Sequence, residues 1–220
     1  MEFVYEQSDA APYLKIMIDE NLFPLLKAQV DGKELIIGPK KIKENSRNGN
    51  SYNLQPTQFK VITNSREIKE LNVVSSGDFI IASPINIGKL EINMAGSGNI
   101  LLEKKVEGNK LEINLASSGS VVASNIDLAG IECSLAGSGY IQIAGKADRA
   151  EYNLAASGNI KAYECVTGKT ECNIAGSGNI QTHTRNQLEA NIVGSGNVYY
   201  KGNPTTSKSI IGSGKLKSAN

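Results

Sequence analysis

The sequence predicts an all-β fold, a right-handed parallel β-helix (solenoid) with rungs of about 20 residues and an irregular N-terminal capping segment. The first observation is a motif ending in Ser-Gly that occurs eight times, at steps of 21, 21, 20, 19, 20, 18 and 18 residues. Within the copies polar and apolar residues alternate, which is typical of a strand with one buried face. Aromatic residues make up only 5% of the chain and Trp is absent, which suits a narrow core of Ile, Leu, Val and Ala.

Residues 1–64 lack the repeat, and we expect them to form irregular strands that cap the open end of the solenoid. Strands are predicted at Tyr13–Ile18, Glu34–Ile37 and Phe59–Thr63, with a short helical turn around Pro24. The polar stretch Pro39–Gln58 is expected to be a long exposed loop. Residues 65–220 hold the regular repeats, and the two parts are expected to form one continuous domain.

The segment Lys89–Gly108 shows how one rung is built. Ile92 and Met94 point inward from a first strand, a Gly-Ser-Gly corner turns the chain, and Asn99–Leu102 forms a second strand. Val106 supplies a third inward contact. Parallel stacking puts like residues on like residues, whereas hairpins would reverse every second strand, and right-handed crossovers are strongly preferred.

The corners are expected to need glycine, because glycine adopts backbone angles that a Cβ forbids. Structural turns are therefore assigned to Gly77, Gly98, Gly119, Gly139, Gly158, Gly178, Gly196 and Gly214.

Three inward columns are expected to make a continuous core. The first is Leu71, Ile92, Ile113, Cys133, Tyr152, Cys172 and Ala190. The second is Val73, Met94, Leu115, Leu135, Leu154, Ile174, Ile192 and Ile210. The third is Phe79, Ile100, Val121, Ile141, Ile160, Ile180, Val198 and Leu216. Cys133 and Cys172 would lie about 9–10 Å apart, beyond disulfide reach, so both are predicted to be small buried residues.

Polar side chains form outward columns beside these. One consists of Glu70, Glu91, Glu112, Glu132, Glu151, Glu171 and Glu189. Two residues earlier, Lys89, Lys110, Arg149 and Lys169 can offset the repulsion between stacked carboxylates. A cation-binding strip is less favoured than a solvated face of mixed charge, because one Glu per rung does not converge on a single ion. Next to it, Asn72, Asn93, Asn114, Asn153, Asn173 and Asn191, with Ser134 and Ser209, are expected to form a hydrogen-bonded ladder.

Several functional classes are excluded or disfavoured by the residues. A net charge of +1 does not favour a nucleic-acid binder. His183 is the only histidine, the Gly-Ser-Gly corners match neither a nucleophile elbow nor a phosphate loop, and no zinc-ligand spacing occurs. We therefore predict no catalytic, cofactor-binding or metal-binding residues and no enzyme activity. No apolar run is long enough to cross a membrane, so no membrane insertion is expected.

Function is expected where the copies differ. Tyr140 replaces the Asn, Asp or Ser of the second strand, and Tyr199 and Tyr200 interrupt the pattern on the seventh rung. These three tyrosines are the candidate surface contacts, together with the loop between Pro39 and Gln58. Lys215 and Lys217 mark an edge that either discourages edge pairing or contacts another copy.

The repeats INMAGSGNI, CNIAGSGNI and YNLAASGNI, together with DENLFPLL, KELIIG and QFKVITNS in the first third, resemble the putative auto-transporter adhesin, head GIN domain family of Bacteroidetes. The resemblance runs from about Tyr13 to Leu216. It implies a β-helix without transferable catalytic residues, and an exported protein of the cell surface, outer membrane or periplasm. The opening MEFVYEQSDAAP lacks a signal peptide, so the expectation is either a cytosolic protein or a mature portion.

The leading functional hypothesis is a non-enzymatic cell-envelope protein, an adhesin or scaffold module that contacts a cell-surface protein or a glycan through repeating polar faces. The alternatives are a carbohydrate-active β-helix enzyme and a self-assembling structural protein, the latter including homo-oligomers formed through a solenoid end. Clustered acids in a long groove would favour the enzyme, and flat regular faces would favour the adhesin.

Overall fold

The computed structural model describes residues 1–40 and 54–219 and is a β-solenoid of about seven turns, with rungs of about 20 residues. The predicted fold class is confirmed, since every pair of neighbouring repeat strands is parallel. Within the expected Pro39–Gln58 loop, residues 41–53 lie outside the described residues.

The N-terminal segment contains more strands than its sequence pattern predicted. The strands are β1 (Glu2–Gln7), β2 (Leu14–Ile18), β3 (Leu26–Asp31), β4 (Glu34–Pro39) and β5 (Phe59–Ser65), with a 3-10 helix at Phe23–Leu25 before β3. The predictions for β2, β4, β5 and the helical turn are confirmed. Strands β1 and β3 were missed. β3 and β4 form a hairpin with a two-residue turn, where Gly32 has a φ of 59°.

The repeats supply the remaining strands. They are β6 (Glu70–Val73), β7 (Asp78–Ile81), β8 (Ile85–Met94), β9 (Asn99–Leu102), β10 (Val106–Leu115), β11 (Ser120–Leu135), β12 (Tyr140–Leu154), β13 (Asn159–Gly176), β14 (Asn179–Gly194), β15 (Asn197–Lys201), β16 (Thr205–Gly212) and β17 (Lys215–Ser218). We number the rungs one to eight by their Ser-Gly corners, from Gly77 to Gly214.

Each full rung has three walls. The first wall ends at the Ser-Gly corner and carries the glutamate and asparagine columns, for example Glu112–Leu115 in β10. The second wall follows the corner, as in Ser120–Ala123, and the third wall leads back to the first. Separate short strands were expected, but β11 to β14 bend across all three walls, with register shifts where they turn. The Ser-Gly corner is thus the sharp break in the rung.

The two walls end differently at the N-terminal end of the solenoid. The second wall continues past β7 into β1 and β5, both parallel, and then into the antiparallel β2. Within residues 1–40 and 54–219, the first wall stops at β6, which pairs with β8 on one side. The expected capping strands therefore extend one wall without extending the other.

The inward columns have the register that the sequence predicted. Leu71 aligns with Ile92, Ile113, Cys133, Tyr152, Cys172 and Ala190 through successive strand pairs. Ile92, Ile113 and Cys133 are fully buried. Burying one such aliphatic side chain contributes roughly 1.5–3 kcal/mol. The three cysteines are free and buried, and burial raises the pKa of the Cys165 thiol to about 12.

The corner glycines are required for a reason different from the one expected. Each corner ends in one of the glycines assigned above, from Gly77 to Gly214. None of these eight glycines, all of them described, has a positive φ. What excludes a side chain is the rung below: a Cβ on Gly98 would lie 2.0 Å from the carbonyl oxygen of Gly77. The same clash recurs between Gly178 and the Gly158 carbonyl, at 2.1 Å. Close approach of stacked corners, and not backbone freedom, demands glycine at these positions.

A cluster of buried hydroxyls interrupts the apolar core in rungs five and six, and the sequence columns did not reveal it. Thr170 Oγ1 lies 2.6 Å from Thr167 Oγ1 and 2.7 Å from Thr184 Oγ1. Thr167 also donates to the His183 carbonyl at 3.0 Å. Because buried polar groups are costly unless they are bonded, the threonines satisfy one another.

Candidate binding sites

The charged column of the first wall is a network of ion pairs in rungs two to four. The Lys89 ammonium lies 3.1 Å from Glu91 Oε2 and 3.0 Å from Glu112 Oε2. Lys110 bridges the next step, at 3.4 Å from Glu112 and 2.7 Å from Glu132. The hydrogen bond from Lys89 holds the pKa of Glu112 below its ordinary value. The lysines therefore link carboxylates across rungs, as the sequence predicted.

The asparagine ladder is also present. Asn93 donates to Asn72 at 3.0 Å and Asn114 donates to Asn93 at 2.9 Å. After the interruption at Ser134, Asn173 donates to Asn153 at 2.9 Å, and Asn191 extends this run. These amides are occupied by one another and by the glutamates on the same strands. The asparagine and glutamate side chains of the first wall therefore form hydrogen bonds with one another.

Beyond rung four the first wall is less fully paired. Arg149 and Lys169 form no ion pair with any residue in the described ranges. Both border a shallow concave region of about 730 Å³ that Glu151 and Glu171 also line. Nowhere in residues 1–40 and 54–219 do three or more His, Cys, Asp or Glu side chains converge as metal ligands would. The shallow region has cations and carboxylates mixed within it.

A cavity of about 730 Å³ lies at the N-terminal end of the solenoid. It occupies the place where the first wall stops at β6 while the second wall continues. Its walls come from β1, β2, β5, β6, β7, the β3–β4 hairpin and the segment 54–56. The lining residues are Met1, Phe3, Val4, Ile18, Leu26, Leu35, Ile37, Gly38, Pro39, Leu54, Pro56, Phe59, Val61, Thr63, Leu71, Asn72, Val73, Val74, Ser75, Ser76 and Phe79.

The end cavity is apolar in its chemistry. Three phenylalanines meet there: the Phe3 ring lies 5.5 Å from Phe59, edge to face, and 6.3 Å from Phe79, stacked. None of the described lining residues is charged. At the rim, Val74 is 82% exposed and Met1 is 54% exposed. Uncovered apolar side chains beside an apolar cavity favour a ligand with an apolar chain over a sugar or an ion.

The candidate tyrosines occupy two different environments. Tyr140 and Tyr199 both point outward from the second wall, whereas Tyr200 is half-buried and packs against the core. Lys161 Nζ lies 4.7 Å from the centre of the Tyr140 ring, and Lys217 Nζ lies 5.6 Å from that of Tyr199. The structure therefore joins two of the three tyrosines to lysines: Lys161, which the sequence had not singled out, and Lys217, which the sequence had assigned only to an edge.

A third pair belongs to the same surface. Lys201 Nζ lies 4.7 Å from the centre of the Tyr163 ring and 3.6 Å from Glu164 at the adjoining corner. Burial and the neighbouring Tyr199 raise the pKa of the Tyr163 hydroxyl. The sequence does contain a signal for Tyr163, Lys161 and Lys201. An alignment of the copies that included every second residue after the Ser-Gly corner would have placed them in outward columns.

We call the outward side of the second wall in rungs four to eight the tyrosine-lysine face. Its positions are Tyr140, Gln142, Ala144, Asn159, Lys161, Tyr163, Asn179, Gln181, His183, Asn197, Tyr199, Lys201, Lys215, Lys217 and Ala219. It carries four lysines, and the exposed carboxylate of Glu164 borders it beside Lys201. His183, the only histidine of the chain, lies in this face, where its register partners are Val166 on one side and Lys201 on the other. In the described residues, no helix has the length and apolarity to cross a membrane.

A profile of the putative auto-transporter adhesin, head GIN domain family matches the chain twice, over residues 1–107 and 96–204. The two matched stretches together take in the N-terminal strands and nearly all of the repeats. A comparison with curated proteins found no match.

Solved structures similar to the chain come from Bacteroidetes. A putative lipid binding protein from Parabacteroides distasonis is 53% identical, with a TM-score of 0.97 over 100% of this chain and 89% of that one. A putative adhesin from Parabacteroides merdae is 33% identical, with a TM-score of 0.88 over 100% and 88%. A putative adhesin from Parabacteroides distasonis is 30% identical, with a TM-score of 0.91 over 100% and 89%. These descriptions speak of binding or adhesion and name no reaction.

Proposed function

The chain belongs to the putative auto-transporter adhesin, head GIN domain family, and we propose that it is a non-enzymatic binding protein of the cell envelope that takes an apolar chain into its end cavity. The observation that carries the proposal is the uncharged cavity of about 730 Å³ with its three phenylalanines. Its volume falls in the range of about 300–1,000 Å³ that is typical of small-molecule sites. The family supports an exported protein at the cell surface, in the outer membrane or in the periplasm.

The 53% identical relative supports the ligand class, because that protein is described as a putative lipid binding protein. The physical argument is independent of that description. A fatty acyl chain gains roughly 0.8 kcal/mol for each buried CH₂ group, and the end cavity offers apolar contacts without charges to desolvate. The polar head of such a ligand would lie toward Asn72, Ser75 and Ser76, the polar residues on the β6 side of the lining.

The test is titration of the purified protein with a fluorescent fatty acid. Val74→Asp puts a carboxylate at the cavity rim. Val193→Asp is the matched control, because Val193 follows the second inward column on rung seven as Val74 does on rung one, and Val193 does not line the end cavity. We expect Val74→Asp to weaken binding at least tenfold, about 1.4 kcal/mol, and Val193→Asp to leave it unchanged. No binding by the unmodified protein, or equal effects of the two variants, would refute the proposal.

A second candidate function is adhesion or scaffolding through the side walls, with a cell-surface protein or a glycan as partner. It is favoured by the flat, regular polar surfaces and by the relatives described as putative adhesins. Contact with another copy through a solenoid end belongs to the same proposal. On β16, the last strand of the first wall, Lys208 continues the inward column that Ala190 belongs to. A charge that points inward discourages edge pairing. The C-terminal end of the solenoid is therefore less suitable for self-assembly than the N-terminal end. A screen of the purified protein against glycan and matrix-protein arrays tests adhesion, and sedimentation at several concentrations tests self-association. Clean failure in both would remove this candidate.

A further inference from the structure

We propose that the tyrosine-lysine face binds an anionic oligosaccharide whose sugars carry carboxylate or sulfate groups. The inference rests on the second candidate function and names its ligand and its site. The face carries four lysines and is bordered by the carboxylate of Glu164, 3.6 Å from Lys201, although the whole chain has a net charge of only +1. A surface with a positive net charge within a nearly neutral protein attracts ligands of the opposite sign.

The tyrosines hold the cations in place and supply flat apolar contacts. Three lysine ammonium groups lie over tyrosine rings, at 4.7, 4.7 and 5.6 Å from the ring centres. Such contacts restrict where each ammonium group can lie. The CH faces of a pyranose ring pack against an aromatic ring, while its acidic substituent pairs with the adjacent ammonium. A tyrosine beside a lysine therefore provides both contacts that one acidic sugar requires.

The dimensions of the face suit an extended chain. Successive rungs are about 4.8 Å apart, which is close to the advance of one hexose in an extended polysaccharide. The tyrosine-lysine pairs join rungs four and five, five and seven, and seven and eight, so contacts recur along the solenoid axis. Between them, Gln142, Gln181 and Asn197 place amide groups that can bond sugar hydroxyls.

The same wall has the opposite character in the first rungs, which confines the ligand to rungs four to eight. The positions that correspond to Lys161 are Ile80, Leu101 and Val122. Asp78 and Glu103 add negative charge beside them. An anionic chain that lay along the whole wall would meet repulsion and unpaired apolar surface there.

An acidic protein segment is the rival ligand, and the tyrosines discriminate between the two. A peptide carboxylate needs the lysines alone. The edge strand that borders the face, β17, lies at the C-terminal end of the solenoid and not along the face. An acidic sugar needs both residue types. Loss of a tyrosine ring should therefore weaken sugar binding without changing the charge of the face.

The experiment titrates the full chain with oligogalacturonate and with chondroitin sulfate oligosaccharides. Cello-oligosaccharide serves as the neutral probe, and poly-glutamate as the acidic peptide. Binding is followed by calorimetry and by amide chemical shifts. The variants are Tyr199→Ala, Lys161→Gln combined with Lys217→Gln, and Lys104→Gln, an exposed lysine off the face, as the matched control.

We expect at least one anionic glycan to bind, with shifts confined to the face and affinity that falls with added salt. Tyr199→Ala and the double lysine variant should each lower the affinity roughly tenfold or more, which corresponds to about 1.4 kcal/mol, and Lys104→Gln should not. The inference is overturned if poly-glutamate binds as tightly and Tyr199→Ala has no effect, or if the shifts lie elsewhere. Binding of a neutral glycan or of a protein at another wall would also overturn it while leaving the adhesion proposal intact. Failure of every glycan and protein probe would remove both.

Discussion

The middle rungs and the N-terminal end of the solenoid use similar apolar residues with different results. In the middle, Ile113 lies between Ile92 and Cys133 in a column, and all three side chains are fully buried. At the end, Leu71 begins the same column, no strand of the described residues lies beyond it, and its side chain faces the end cavity. The difference shows that a repeat fills its core only where a neighbour exists on both sides. The apolar side chains of a terminal rung must either pack against other residues or border an open space. Here they border a cavity of about 730 Å³, which is large enough for a small-molecule ligand.

The strongest way to break the regular region is to obstruct a corner. Gly98→Val puts a side chain against the Gly77 carbonyl, where even a Cβ would be 2.0 Å away. We expect a loss of about 4 kcal/mol or more in the free energy of unfolding, measured by urea denaturation. Gly130→Val is the control, because a Cβ at Gly130 meets nothing within 4 Å. Similar midpoints for the two variants would show that the stacked corners can separate at little cost.

The column shared by the two regions allows a direct comparison. Ile113→Ala opens a void in a closed core, and we expect it to cost about 2–5 kcal/mol. Leu71→Ala only widens a cavity that already exists, so we expect less than about half that loss. Thermal and urea unfolding of the two variants measure the difference. Equal losses would mean that the side chain of Leu71 is packed as tightly as one inside the solenoid.

The threonine cluster gives a polar counterpart to these apolar positions. Thr170→Val removes the hydroxyl that bonds both Thr167 and Thr184 and leaves their groups partly unsatisfied, at a cost of about 1–3 kcal/mol. Thr206→Val is the matched control, since Thr206 belongs to the same column on the outermost first-wall strand and is exposed. It should change stability by less than about 0.5 kcal/mol. A neutral or stabilising Thr170→Val would mean that the hydroxyl cluster does not contribute to folding.

The smallest effect belongs to the surface network, and it depends on pH. Lys89 holds the pKa of Glu112 below its ordinary 4.5, so this pair stabilises the fold above that pH and the contribution is lost as pH falls through the lowered pKa. Glu112→Gln should cost roughly 0.2–1 kcal/mol at neutral pH, and the difference from the unmodified protein should shrink below pH 4.5. The control Lys104→Ala should show no such dependence on pH. A Glu112→Gln difference that is constant from neutral to acidic pH would contradict the assigned role of the ion pair.

The sequence by itself determined the fold class, the family, the core columns and the polar ladders. It could do so because stacking repeats the same neighbour at every rung, so the alignment of copies is also the list of contacts, as Leu71, Ile92 and Ile113 show. For the same reason Tyr140 and Tyr199 stood out as departures from the columns.

Only the tertiary structure decided the features that depend on non-repeating neighbours. Strand β1 inserts between β5 and β7, partners far away along the chain, and the end cavity exists because one wall continues where the other stops. Tyr163 pairs with Lys201 across two rungs, and Thr170 hydrogen-bonds Thr167 and Thr184. Both sets of contacts depend on how the strands bend around the corners. Local alternation fixes which side chains face inward. The distances between walls are set by the whole coil, and no short segment of sequence contains them.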